Sequence, residues 1–148
     1  MKKPQIKNER KIVVNTGLVP VSIYNEEIGE KIGTIWFNPT DTGLITRYQE
    51  ASERLRNLDI PDEEELTPET FARLNQEFRD LFDFLLNRSV SGELFKVCEP
   101  LARVNGGEYY FSVLLAAIIQ LAGEVLDERN AESERRITAA VAELTANE

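Results

Sequence analysis

Residues 33–50, GTIWFNPTDTGLITRYQE, change character partway along. A run that alternates as a strand does meets Asn38-Pro39, and a helical period follows. Side chains two apart share a strand face, so Ile32, Thr34 and Trp36 fall on one side and Gly33, Ile35 and Phe37 on the other. Large apolar groups on both sides predict a strand that is covered twice, or covered once and open to a partner on its other face. Asn38 is a preferred N-cap, and Pro39 suits the first helical position, where its missing N–H would have gone unpaired. Asp41 falls in the first turn, where the helix dipole favours a carboxylate. Leu44, Ile45, Tyr48, Ala51, Leu55 and Leu58 then recur at helical spacing, which predicts a helix over about 39–57.

Upstream of this junction, KIVVN (11–15) and LVPVSIY (18–24) read as short strands separated by the turn signal Asn15-Thr16-Gly17. Pro20 cannot donate to a ladder and belongs at an edge or a strand start. With the polar turn around Gly29, these segments predict a small antiparallel hairpin or meander.

Downstream, DIPDEEELTPET (59–70) is an acidic linker that closes on a marked helix start. Thr67 is the expected N-cap, Pro68 the first helical residue and Glu69 a favourable first-turn charge, with Leu66 and Phe71 placed as a hydrophobic staple. Phe71, Leu74, Phe78, Leu81, Phe82 and Leu85 form its stripe, while Phe84 and Leu86 lie beside it. A connector follows, with a short helix over about 92–99 stopped by Pro100, and then the turn signal Asn105-Gly106-Gly107. A long helix should run from about 108 past 126. Phe111, Leu114, Leu115, Ile118, Ala122, Val125 and Leu126 make its main face, and Val113, Ile119 and Leu121 carry apolar surface around much of the cylinder. Residues 129–148 bear one weak stripe, Ile137, Ala140, Val141 and Leu144, and either continue that helix or form a frayed, partly disordered extension. The fold class is α+β, mainly α: a small N-terminal antiparallel hairpin or meander followed by about four helices. Residues 12–128 form the single domain, between a basic flexible arm (1–11) and the C-terminal extension (129–148).

At 148 residues the chain can bury roughly two thirds of its unfolded surface in one core. Its 42% hydrophobic and 29% charged content is that of ordinary globular proteins. With 17 Lys and Arg against 26 Asp and Glu, the net charge is −9. That balance disfavours nucleic-acid binding, which draws on cations that neutralise phosphates, and it disfavours anionic membranes. The basic residues at 1–11 read as a solvated terminus. Cys98 is the only cysteine, so no intrachain disulfide forms and a reducing compartment is expected. No signal peptide is read at the N-terminus. The longest apolar run, FSVLLAAIIQLAG, is interrupted by Ser112 and Gln120 and falls short of the roughly 20 residues of a bilayer crossing. A cytoplasmic location follows as the expectation.

Chemistry is sparse. The absence of His removes the commonest general base and transition-metal ligand. Cys98, between Val97 and Glu99, lacks an activating neighbour and reads as a structural thiol. Asp62, Glu63, Glu64 and Glu65 lack the alternation and glycine of a calcium loop, and Gly106-Gly107 lacks the lysine and hydroxyl of a phosphate loop. No catalytic residue, cofactor site or metal site is expected, and the chain is read as not an enzyme. The excess apolar surface is the remaining feature, and such residues are more often core than interface. Trp36, Phe37, Phe84, Leu86, Val113 and Leu121 are the positions assigned to partner or self contacts, by helix-in-groove or similar docking.

The sequence resembles the tail assembly chaperones of long-tailed bacteriophages and prophages, particularly those of Gram-positive hosts. The resemblance covers about residues 10–128 and rests on a hairpin ending in IGTIWFNPTDTGLITRY, an acidic spacer, a Phe-rich helix, and GELFKVCEPLARVNGGEYYFSVLLAAIIQLAGEVLDE with its Cys98-Glu99-Pro100 segment. It implies a cytoplasmic helper that binds and solubilises the apolar, helix-rich tape-measure protein while tail-tube subunits polymerise around it, and that is absent from the mature virion. It also implies a homo-oligomer, and a longer frameshifted product that contacts the tail-tube protein, with residues 129–148 as the place where such an extension would join. Three other assignments compete with it: a chaperone of a bacterial secretion or export client, a structural tail component retained in the virion, and an enzyme that uses carboxylates and a metal.

Overall fold

A computed structural model of the chain describes residues 8–146; the first part of the basic arm lies outside the described residues. Strands β1 (Val19–Tyr24) and β2 (Lys31–Phe37) form an antiparallel hairpin. Helix α1 (Gly43–Arg56) follows, then a 3-10 turn (Glu63–Glu65), helix α2 (Pro68–Leu86) and the short helix α3 (Ser91–Leu94). A two-residue ladder of β3 (Arg103–Val104) with β4 (Glu108–Tyr109) leads into α4 (Tyr110–Ala146). The α+β, mainly α architecture is the one the sequence predicts.

The hairpin pairs Val19 with Phe37 and Pro20 with Trp36, and its register shifts between Ile23 and Tyr24. Its turn is closed by Asn25 N–H donating to Glu30 O at 2.7 Å. The predicted two faces of β2 separate sharply. Ile35 and Phe37 are core residues, whereas Trp36 on the other face is 49% exposed. Gly33 lies so close to α3 that a Cβ there would sit 2.9 Å from the Glu93 carbonyl oxygen.

KIVVN does not form the expected strand, so the sheet is a hairpin and not a meander. The Asn15 side chain accepts from Gly17 N–H at 2.8 Å, which makes the predicted turn. The turn is spent elsewhere, however. Asn38 Nδ2 donates to Thr16 O at 2.9 Å and Arg129 Nη2 to Gly17 O at 3.0 Å. These bonds tie the turn to the β2–α1 corner and leave Ile12, Val13 and Val14 exposed, away from the sheet.

Helix α1 also starts later than expected. Asn38 is not its N-cap: the Asn38 Oδ1 accepts from Thr40 N–H at 3.0 Å, which closes a local turn. Asp41 then accepts from Gly43 N–H at 3.0 Å, and α1 begins there. Two successive side-chain turns compete with the helix for these amides, the known behaviour of Asn and Asp near helix starts. At α2 the signals act as read: Thr67 Oγ1 accepts from Thr70 N–H at 3.2 Å, with Pro68 first in the helix. Asn87, left-handed at φ 53°, ends it. The short helix spans only Ser91–Leu94, and its first amides are held by Asp83, whose Oδ1 accepts from Val90 and Ser91 N–H, both at 2.8 Å.

The core has two parts. The larger joins Ile35 and Phe37 of β2 to Leu81, Phe82 and Leu85 of α2, Leu94 and Phe95, and the Tyr110, Leu114, Ile118 and Ala122 face of α4. The smaller centres on Leu74, Phe78 and Leu101, where the Phe78 and Phe111 rings stack with centroids 4.1 Å apart.

Candidate functional site: an apolar groove between α1 and α4

Burial at Tyr110, Leu114, Ile118 and Ala122 advances by four residues per step. Four residues fall slightly beyond a full turn of 3.6, so the buried line drifts around α4 and leaves Ile119, Gly123 and Leu126 on its flank. On α1, Leu44 points into the core, and Ile45, next in sequence and about a quarter turn round the helix, is 66% exposed. Between these flanks lies a groove of about 290 Å³, lined by Pro39, Leu44, Ile45, Tyr48, Ile119 and Leu126 among others. Gly123 forms part of its floor and meets nothing within 4 Å of a built Cβ. The groove is therefore almost wholly apolar, with polar groups only at the Thr40–Thr42 end.

That polar end is fixed electrostatically. The Arg47 guanidinium donates to Asp41 Oδ2 at 2.8 Å and, through Nε, to Leu85 O at 2.8 Å. The Arg47 hydrogen bond, helped by Gly43 N–H, holds the Asp41 carboxyl below its ordinary value. Arg129 closes the same end by donating to the side chains of Asn38 and Thr40.

The six positions assigned from sequence do not form one site. Phe37 and Leu86 are 1% and 4% exposed and serve the core, because their strand and helix faces turn inward. Phe84 is half-buried beneath the Arg54 guanidinium, 4.6 Å from its ring centre. Leu121 packs partly against the main core. Val113 lines a separate depression with Tyr24, Ile32 and Val104. Trp36 is the one exposed member. Sequence reasoning missed Ile45 and Tyr48, which it had placed on the inner stripe of α1. The adjacency of Leu44 and Ile45 was the available signal, since two consecutive residues cannot both sit at the centre of a narrow helix face.

Of the large apolar side chains of α4 from Tyr110 to Leu126, only Leu126 is exposed, the others being buried or half-buried. The most apolar 18-residue window of this helix has a mean hydropathy of 1.5, enough by length and composition to cross a membrane, and 17% of that window is buried. Among the described residues no cluster of three or more Cys, Asp or Glu could hold a metal. Glu63 of the acidic linker is instead paired with Arg103 at 3.2 Å. Comparison with protein-family models, with curated proteins and with solved structures finds no match.

Proposed function

We propose that this chain is a tail assembly chaperone that binds apolar helical segments of a phage tape-measure protein in the host cytoplasm and keeps them soluble during tail morphogenesis. The observation that carries this reading is the apolar groove between α1 and α4, on whose α1 side Ile45 and Tyr48 are exposed. An amphipathic client helix laid there would bury Ile45 and Tyr48 together with its own apolar face. The net charge of −9 supports the same role, because a holding protein must stay soluble while it carries apolar cargo. The sequence resemblance supplies the client. A homo-oligomer, contact with the tail-tube protein through a longer product, and absence from the mature virion belong to the same proposal.

The test is co-expression with the neighbouring long, helix-rich protein, followed by affinity capture and mass measurement. The expected result is a soluble complex that is lost when Ile45→Asp and Tyr48→Asp are combined. Failure of the folded chain to capture that protein, or its stoichiometric recovery in purified particles, overturns the reading.

A second reading, favoured by the hydropathy of α4, has this helix in a bilayer. The packing of Tyr110, Leu114, Ile118 and Ala122 into the core weighs against it. Recovery of the chain in the membrane fraction, resistant to alkaline extraction, would favour it over the chaperone.

A further inference from the structure

From Asn130 to Thr145 every residue of α4 is exposed. Nothing packs against this stretch, and helical stability in proteins comes mostly from packing of an amphipathic face. Ile137, Val141 and Leu144 nevertheless point outward from it, 61%, 56% and 71% exposed. The geometry points to a second copy of the chain as the missing partner: two α4 helices pair as a parallel, in-register coiled coil along Leu126, Asn130, Ser133, Ile137, Ala140 and Leu144.

The spacing along that line alternates four and three without a break. This is the 3.5-residue repeat of a supercoiled seam, with Asn130, Ile137 and Leu144 as one core position of the heptad and Leu126, Ser133 and Ala140 as the other. Asn130 is a single polar residue at a position where asparagine fixes register and strand number at some cost in stability.

Charge selects the orientation. Among the described residues Arg129 has only neutral acceptors, Asn38, Thr40 and Gly17 O, and pairs with no carboxylate. Glu134, also on the border of the seam, makes no ion pair among the described residues. In a parallel in-register pair each Arg129 faces Glu134 of the second copy, twice by symmetry. An antiparallel pair on the same seam would set Arg129 beside Glu143 but would oppose Glu134 to Glu134 and Arg136 to Arg136, so the parallel pair carries the better charge balance. A bilayer would have to accept Glu132, Glu134, Arg135 and Arg136, so it does not cover this segment. The small residues at Ser133 and Ala140 make the seam weak and the pairing concentration-dependent. It deepens the homo-oligomer included in the chaperone reading, and sedimentation of the chain alone tests it separately from any client.

Sedimentation of the full chain over a concentration series should give a mass rising from one chain to two. The double variant Ile137→Asp/Leu144→Asp should remain at one chain with the Trp36 fluorescence of the folded body unchanged, and Asn130→Leu should tighten the pair at least several-fold. With Cys98→Ser, oxidation of Ala140→Cys should link the chain to its own kind. A monomer at the highest soluble concentration overturns the proposal. So does preferential linking of an Asn130→Cys chain to an Ala140→Cys chain, which would report antiparallel packing.

Discussion

Arg129 Nη1 donates to the side-chain oxygen of Asn38 at 3.1 Å, across 91 positions of sequence. The same guanidinium reaches Thr40 and Gly17 O, so one residue of α4 ties together the approach to β1, the β2–α1 corner and the start of the free helical arm. Arg129→Ala removes three charge-assisted bonds at once. Such bonds contribute about 1.5–3 kcal/mol each when well made, and these are partly open to water. A loss of roughly 2 kcal/mol in denaturant unfolding is expected, with faster amide exchange at Thr16–Gly17 and Thr40. Arg129→Lys should not restore it, because one ammonium group cannot reproduce the planar fork. Wild-type stability in Arg129→Ala would show that the corner holds without this clamp.

Gly33 and Glu93 make a second junction that depends on close approach. Glu93 Oε2 accepts from Thr34 N–H at 3.2 Å, capping an outward amide of β2 with a side chain from α3. A methyl group at residue 33 would meet both the carboxylate and the backbone of Glu93. Gly33→Ala should therefore destabilise by about 1–3 kcal/mol, the usual range for overpacking, although Ala is otherwise the better strand residue. Combining it with Glu93→Ala relieves only the side-chain clash, so most of the loss should persist in thermal melts of the double variant.

The elements that could be read in advance are those with local signals. Thr67-Pro68 sets the start of α2, Asn105-Gly106-Gly107 makes the turn between β3 and β4, and the stripe from Leu114 to Ala122 gives α4 its inner face. The misreadings share a cause, which is that a polar group was claimed by a distant partner or by a competing turn. KIVVN has strand composition but no strand to pair with, because Asn38 and Arg129 take the neighbouring carbonyl groups. Asn38 caps a turn in place of a helix because Thr40 and Asp41 offer shorter closures. Strand alternation put Trp36 and Phe37 on opposite faces of β2 but did not say which face the core would cover. The exposure of Ile45 and Tyr48 was not legible, because the packing of α4 determines which flank of α1 is covered.

Asp41 provides a pH test of the α1 start. Its carboxyl is held below the ordinary 3.8 by Arg47 and Gly43 N–H, so the folded state binds its proton less readily than the unfolded chain. The stabilisation is fully present above 3.8 and disappears as pH falls through the lowered folded value. Asp41→Asn should cost less than about 1 kcal/mol at neutral pH, because the pair is partly solvated. The difference from the natural chain should shrink in urea titrations carried out at progressively lower pH. A gap that stays constant down to acid unfolding would mean that the carboxylate charge contributes nothing.

Tyr110 tests the opposite limb. Its hydroxyl donates to Leu94 O at 3.2 Å inside the main core, and burial, helped by the nearby Cys98 sulfur, pushes its ionisation above the ordinary 10.0. The protonated hydroxyl is favoured by folding, so this contribution is complete below 10.0 and is lost as pH rises through the folded value. Tyr110→Phe should cost about 1 kcal/mol at neutral pH and should lose stability less steeply than the natural chain above pH 10.0. Parallel alkaline unfolding curves for the two proteins would place Tyr110 outside the titrating set.

Among the described residues Asn75 is the one polar residue in the buried set, and its Oδ1 has no hydrogen-bond partner there. It sits on α2 beside Leu74 and Phe78, in the smaller core. An unmade bond at a buried acceptor costs about 1–3 kcal/mol, whereas an apolar side chain of similar size in the same place forfeits nothing. Leucine also has the higher helix propensity. Asn75→Leu should therefore raise stability by roughly 1 kcal/mol, seen as a gain of about 2–4 °C in Tm for a chain of this length. A lower Tm, with the far-UV spectrum unchanged, would show that the Asn75 amide is satisfied in solution and that the smaller core is built around it.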